Sequence, residues 1–353
     1  MSAAMKDSPR PFARLVQKVV EDIGTLTREE ARVALREMIM GEASTDDISR
    51  MLTAISQRGE TAEELAGFAE EMRAHAVPLP FTDEERAALV DTCGTGGSGD
   101  GTFNISTGAA LVAAAAGAKV AKHGNRAVTS KCGSADVLEA MGIPVALTPE
   151  QSVECLRATG FAFLYAPALH PALKRVQPIR RALGFRTIFN MAGPLTNPAG
   201  ARAQVMGVYA ANKVVVAAEA LSRLGVRHAM VVHGSDGLDE LTLTGMSHMV
   251  EVRDGLLRRH EFYPSEADLP FCTLDQLQGA ATVAANAALI EKILEGETGP
   301  RTDIVLLNAA AALVVSGVAT SFREGVARCA IAIESGAARQ TVEKLRAFGK
   351  TIG

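Results

Sequence analysis

The sequence predicts an α/β protein, with a small N-terminal helical domain followed by a larger domain built on a mainly parallel central sheet flanked by helices. Three observations predict it. Residues 11 to about 76 show helical periodicity only. After residue 86, short apolar runs alternate with helical segments, the pattern of a parallel sheet wrapped by helices. Between them lies Val77-Pro78-Leu79-Pro80, where proline biases the chain toward an extended path.

The elements follow in order. Thr27-x-x-Glu30 and Thr61-x-x-Glu64 read as capping boxes, and Ser44-x-x-Asp47 as a cap with the shorter acid. Leu15, Val19 and Ile23 recur at helical spacing, as do Met51, Leu52 and Ile55, then Leu65, Phe68 and Met72. Gly59 stops the third helix. In the larger domain the strand candidates are Ala87–Val90, Ala118–Ala121, Ile143–Leu147, Phe161–Tyr165, Val205–Tyr209 and Ala229–His233, with Glu240–Leu243 and Met249–Val252 as a late strand pair. Residues 280–296 and 304–316 read as alanine-rich helices. Residues 168–186 interrupt this rhythm with five basic residues, at 174, 175, 180, 181 and 186, and read as a helix broken at Pro178. The expected domains are 1–80, with 168–190 packing onto it, and 81–167 together with 191–353.

Composition narrows the function classes. The chain has 353 residues, 48% hydrophobic and 22% charged, so one large domain or two linked ones with a sizeable core are expected. A net charge of −4 and the absence of tryptophan argue against a nucleic-acid binder. The cysteines at 93, 132, 155, 272 and 329 form no CxxC pair, which fits a reduced cytoplasm. The longest apolar stretch, Ala109 to Val120, is too short to span a membrane, and the N-terminus lacks a secretory apolar core.

Residues 91–139 carry most of the chemistry. Gly94-Thr95-Gly96-Gly97-Ser98-Gly99-Asp100-Gly101 and Lys122-His123-Gly124-Asn125-Arg126 flank one small-residue helix. Glycines let backbone N–H groups approach an anion, and Thr95, Thr102 and Ser106 add hydroxyls. The helix starting near Ser106-Thr107 turns its positive end to the same place. Lys122, Arg126 and Lys131 supply full charges. This is the layout of a phosphate or pyrophosphate cradle. It lacks the Gly-Lys-Ser/Thr of a Walker loop and the spacing of a dinucleotide fingerprint. A second constellation, His233-Gly234-Ser235-Asp236-Gly237-Leu238-Asp239-Glu240, follows an apolar strand. Its adjacent acids suit Mg²⁺ and equally suit a solvated acidic turn. His123 is placed to donate or move a proton beside phosphate, or to cap a strand end. Cys93 and Cys132 have no base partner and read as packing thiols.

Together these stretches resemble the anthranilate phosphoribosyltransferases. The matching segments are GTGG–GDGTFNIST, AKHGNRAVTSKCGSADVLEAMG, RRALGFRTIFNMAGPLTNPA and HGSDGLDEL, supported by ISQRGETAEELAGFAEEM and DIVLLNAAAAL. The resemblance covers nearly the whole chain in the family's order. It implies a helical domain joined to an α/β domain, the active site in the cleft, and a homodimer formed through the helical domain. It also implies transfer of the phosphoribosyl group of 5-phosphoribosyl-1-pyrophosphate (PRPP) to the amine of anthranilate, in tryptophan biosynthesis, with two Mg²⁺ ions per subunit. By the same resemblance, Gly94, Gly97, Thr102, Asn104 and Ser106 would bind the pyrophosphoryl side of PRPP, and Ser98, Asp100, Thr107 and Ser134 would also be substrate-binding. Lys122 and Asn125 would contact the donor, Asn125 also facing anthranilate. Arg180 would meet the anthranilate carboxylate, His123 would line the acceptor site, and Ser106, Asp239 and Glu240 would hold metal. Lys122, His123 and Arg180 are the catalytic candidates. One departure stands out: the family usually has Asp directly after GTGG, where this chain has Ser98, with Asp100 two residues later. The rival readings are a pyrimidine nucleoside phosphorylase of the same fold and a non-enzymatic nucleic-acid-binding relative.

Overall fold

A computed structural model describes residues 11–96, 101–127 and 132–352. By internal contacts the chain divides into two compact units, one of residues up to Ala76 with His170–Thr196, the other of Val77–Leu169 with Asn197–Gly353.

The first unit is helical. Its main helices are Arg28–Met40, Thr45–Arg58 and Ala62–Ala74. Thr27 with Glu30 and Thr61 with Glu64 form reciprocal capping boxes, and the Ser44 hydroxyl accepts from Asp47 N at 3.1 Å. Gly59 ends the helix before it. Gly67 allows Ala62–Ala74 to press against Arg28–Met40, since a Cβ there would stand 2.3 Å from the Arg28 carbonyl oxygen. Glu64 ties the unit together. It is fully buried, and its Oε1 accepts from Leu26 N at 3.0 Å and from the Arg58 guanidinium at 2.5 Å, while Oε2 accepts from Thr61 N at 2.9 Å.

Two local expectations fail here. Ile23 does not extend the Leu15–Val19 face. The helical turns end at Glu21, and Ile23 lies exposed at φ +53°, a conformation rare for a β-branched residue. Pro178 does not break a helix. It sits in the first turn of helix Gln177–Leu183, where its missing N–H costs nothing, after a 3₁₀ turn at Pro171–Arg175.

Among the described residues of the second unit, seven strands form one sheet: β1 Leu89–Asp91, β2 Lys119–Gly124, β3 Phe161–Tyr165, β4 Ala203–Gly207, β5 His228–Gly234, β6 Ser247–Arg253 and β7 Leu256–Phe262. The order is β3-β2-β1-β4-β5-β6-β7, parallel from β3 to β5 and antiparallel beyond. Helices Ile105–Ala115 and Pro300–Ser316 carry buried alanines into the core, and Gly108 meets Val305 closely enough that a Cβ would stand 3.3 Å from it.

The sheet departs from expectation at two points. Ile143–Leu147 is no strand. Pro144 cannot feed a ladder, and the segment runs as a connection to helix Pro149–Thr159 that buries only Ile143 and Val145. Glu240–Leu243 is no strand either, and β6 pairs instead with β7, whose Leu-Leu-Arg-Arg-His-Glu face is exposed up to Phe262. Such a charged edge resists pairing with another chain, and it carries no apolar alternation to reveal it.

The strand order reverses at β1. From there the chain goes outward to β2 and β3, then returns to β4 on the other side of β1. The carboxyl ends of β1 and β4 thus flank the topological switch point, where open α/β sheets hold ligands.

Replacing Glu64 with alanine is expected to remove about 3 kcal/mol, the usual scale for breaking one side of a buried pair. Thermal denaturation followed by circular dichroism reads this as a lowered midpoint, with Glu64→Gln intermediate because one acceptor oxygen remains.

Candidate active site

The site grows from that switch point. β1 runs into Gly94 and β4 ends at Gly207, and Thr95 N donates to the Gly207 carbonyl at 2.9 Å. The loop after β5 closes over both. A Cβ on Gly207 would lie 1.6 Å from the Asp239 carbonyl oxygen, and one on Gly94 would lie 2.9 Å from Asp239 Oδ2. Only glycine permits these three segments to converge.

The convergence places Thr92, Gly94, Ser106, Gly207, Asp239, Glu240 and Asn308 around one pocket. Asp239 Oδ2 accepts from Gly96 N at 2.8 Å. Glu240 Oε1 accepts from Ser106 N at 3.2 Å, at the amino end of helix Ile105–Ala115. The helix dipole and Lys122 favour a charged Glu240, yet burial and the adjacent Asp239 carboxylate outweigh them and push its pKa up. Lys122 is 2% exposed. Its ammonium donates to Thr92 O at 2.7 Å and Oγ1 at 3.3 Å, and to Ser106 Oγ at 3.4 Å. It therefore acts on the pocket chiefly as a fixed charge in a dry surrounding.

His123 follows Lys122 on β2. Its main-chain N–H donates to Asp91 Oδ1 at 3.1 Å. Asp91 is fully buried, and desolvation raises its pKa to about 6. Burial and then the Asp91 charge push the Cys93 thiol upward. The second glycine turn and the segment after it are held by side chains of neighbouring segments. Asn125 O accepts from Ser134 Oγ at 3.2 Å, and Asn104 Nδ2 donates to Cys132 O at 3.0 Å. Arg126 does not offer a free charge to phosphate, because Glu139 grips its guanidinium at 2.6 Å through both oxygens, with Asp136 at 3.2 Å.

The remaining candidates are as follows. Thr107 is buried in its helix, its hydroxyl without a hydrogen bond. Thr102 bridges to Gln278. Gly97, Ser98 and Asp100, with Lys131, lie outside the described residues. Arg180 belongs to the helical unit, where its guanidinium stands over the Phe189 ring at 4.9 Å. Burial lowers its pKa, and it makes no ion pair among the described residues. It is a partly desolvated cation with no protein anion among those residues.

Sequence reading missed Asn308. Its amide brackets Leu241, with Oδ1 accepting from Leu241 N at 3.0 Å and Nδ2 donating to Leu241 O at 3.0 Å. It thereby fixes the residue after Glu240. The signal was a single polar residue amid Leu-Leu-Asn-Ala-Ala-Ala-Ala, a pattern read only as helix.

Ser106, Asp239 and Glu240 offer oxygen donors only. A partly buried carboxylate raised by desolvation and by its neighbour's charge is the environment that a hard divalent cation relieves, so these residues fit Mg²⁺.

Fold and site together define a two-unit α/β protein with an acid-bearing pocket at the switch point of its sheet. Residues 86–339 match the glycosyl transferase family, a/b domain, and residues 13–76 match its helical bundle domain. Anthranilate phosphoribosyltransferase from Solibacter usitatus is 50% identical over 323 residues, covering 92% of this chain and 94% of the relative. That from Symbiobacterium thermophilum is 48% identical with the same coverage. The crystal structure of anthranilate phosphoribosyltransferase from Thermus thermophilus matches with a TM-score of 0.87 at 43% identity, over 95% of this chain and 99% of that one. The Saccharomyces cerevisiae enzyme in complex with PRPP and Mg gives 0.85 at 26% identity, over 98% and 99%. The chain belongs to the anthranilate phosphoribosyltransferases. Neither the nucleoside phosphorylase nor the nucleic-acid-binding reading is favoured by these relatives.

Asn308→Leu keeps the branching of the side chain and removes three hydrogen bonds to main chain, two with Leu241 and one to the Ile304 carbonyl. A loss of about 2–4 kcal/mol is expected from the unsatisfied Leu241 groups. Urea denaturation measures it, and the Mg²⁺ concentration for half-maximal turnover should rise in the same variant.

Proposed function

We infer that the protein transfers the phosphoribosyl group of PRPP to the amine of anthranilate, releasing pyrophosphate, as a step of tryptophan biosynthesis. The observation that carries this is the pocket at the switch point, where Gly94, Ser106, Asp239 and Glu240 meet beside the buried ammonium of Lys122. Loss of anthranilate fluorescence on mixing with PRPP and Mg²⁺ tests it. No change in fluorescence, or phosphorolysis of uridine or thymidine in its place, would contradict it.

In this reading the Gly94–Ser106 side receives the diphosphate. Gly94, Gly97, Thr102, Asn104 and Ser106 serve it through backbone N–H groups and hydroxyls. Ser106, Asp239 and Glu240 hold Mg²⁺, which when bound neutralises charge on the leaving pyrophosphate. A stoichiometry of two ions per subunit belongs to the same proposal. Lys122 contributes a preorganised positive field that needs no reorientation as negative charge builds. The anthranilate nitrogen forms its bond to the ribose C1, the C1–O bond to pyrophosphate breaks, and the bonding pair departs with pyrophosphate. The extra amine proton leaves late, so no strong base is required. Asn125, Ser134 and His123 orient the two substrates, and that alignment supplies several kcal/mol of the barrier.

Arg180 takes the anthranilate carboxylate. The reading is supported by its lack of a protein anion among the described residues and by the planar fork that matches a carboxylate. A homodimer formed through the helical unit and a cytoplasmic setting complete the proposal. Among the described residues no helix is long and apolar enough to cross a membrane.

Arg180→Ala should raise the anthranilate KM by about 10-fold or more while moving the PRPP KM little, the scale of one lost charged hydrogen-bonding partner. An unchanged anthranilate KM in steady-state assays removes the assignment. The double variant Asp239→Asn, Glu240→Gln should lose the Mg²⁺ response of PRPP binding, and an unaltered Mg²⁺ titration removes the metal role.

A further inference from the structure

A second group of ligating atoms lies beside the pocket, made of residues with different chemistry. Asp91 ends β1, Cys93 follows two residues later, and His123 stands on the adjacent strand β2. A carboxylate oxygen, the thiol sulfur and an imidazole nitrogen of these three all lie within 4.8 Å of one another. Asp91 is 0% exposed. Its Oδ1 accepts from His123 N at 3.1 Å, and the Asn197 side chain and Thr92 N–H also turn to the carboxylate. A fully buried carboxylate is expensive to keep charged, and desolvation pushes it toward its protonated form. Cys93 is half-buried, and its only hydrogen-bonding contact among the described residues is a long one, 3.9 Å to Gly94 O.

We propose that Asp91, Cys93 and His123 form a second cation site that takes a divalent ion of the zinc class, and that its occupancy inhibits the enzyme. One thiolate, one imidazole and one carboxylate are the donors that Zn²⁺ and Co²⁺ prefer. Three protein ligands leave a further position open. Mg²⁺ is poorly matched, because it demands oxygen ligands and gives up its water reluctantly. The pocket edge thus holds two cation sites sorted by donor chemistry: oxygen at Ser106, Asp239 and Glu240, and mixed sulfur, nitrogen and oxygen here. The inhibitory part rests on the reading of His123 as lining the acceptor side, since a metal-bound imidazole cannot turn to substrate. The binding part does not depend on that reading.

The test uses the full chain, stripped with a chelator and titrated with Co²⁺. A thiolate-to-cobalt charge-transfer band in the near ultraviolet should grow to one ion per chain, be abolished by Zn²⁺ and persist in excess Mg²⁺. Cys93→Ser should lose the band and keep the Mg²⁺-supported turnover. Zn²⁺ should inhibit the wild type, and Cys93→Ser should need at least about tenfold more Zn²⁺ for the same inhibition. Absence of the band, or a band unchanged in Cys93→Ser, overturns the site. Full Co²⁺ or Zn²⁺ binding with unchanged turnover overturns the inhibition and leaves the transferase assignment untouched.

Discussion

The structure depends on holding two adjacent, partly buried carboxylates side by side at the end of a parallel sheet. Asp239 and Glu240 repel each other there, and burial sharpens the repulsion. Their surroundings answer it with Gly96 N–H on one acid, Ser106 N–H at a helix start on the other, and the Lys122 ammonium nearby. That arrangement does not neutralise the pair, since Glu240 remains displaced toward its protonated form. A site left short of positive charge is poised for cations and for the polyanion that travels with them.

Much of the local sequence follows from this constraint. Gly94 and Gly207 are required because Asp239 occupies the space a side chain would fill. Asp236 accepts from the Thr242 hydroxyl, from the Thr244 hydroxyl at 2.7 Å and from Leu238 N at 3.2 Å, which folds the acid loop back on itself. Asn308 then locks Leu241 from the core side. The loop that carries the acids is thus fixed from both directions, and the geometry of the site is set before any substrate arrives.

The helical start sites were legible because capping is local chemistry. Thr27, Ser44 and Thr61 announce themselves within four residues. The parallel sheet was legible because its strands are buried on both faces and read as apolar runs. Strand β7 was not, since an exposed edge strand needs no apolar face, and Ile143–Leu147 misled because Pro144 lets a partly buried segment look like a strand without pairing. Gly94, Ser106, Asp239 and Glu240 could be gathered as a group from motif alone. Asp91 and Asn308 could not, because their importance lies in what the fold brings to them. Arg126 was misjudged for the same reason, its charge being spent on Glu139 and Asp136.

The most direct test is crystallographic. Crystals grown with PRPP and Mn²⁺ in place of Mg²⁺ would show the ion by its anomalous scattering. The account predicts a peak within coordination distance of Asp239 and Glu240, with the diphosphate lying against residues 94–106. A diphosphate bound elsewhere, or manganese that ignores both carboxylates, would contradict it.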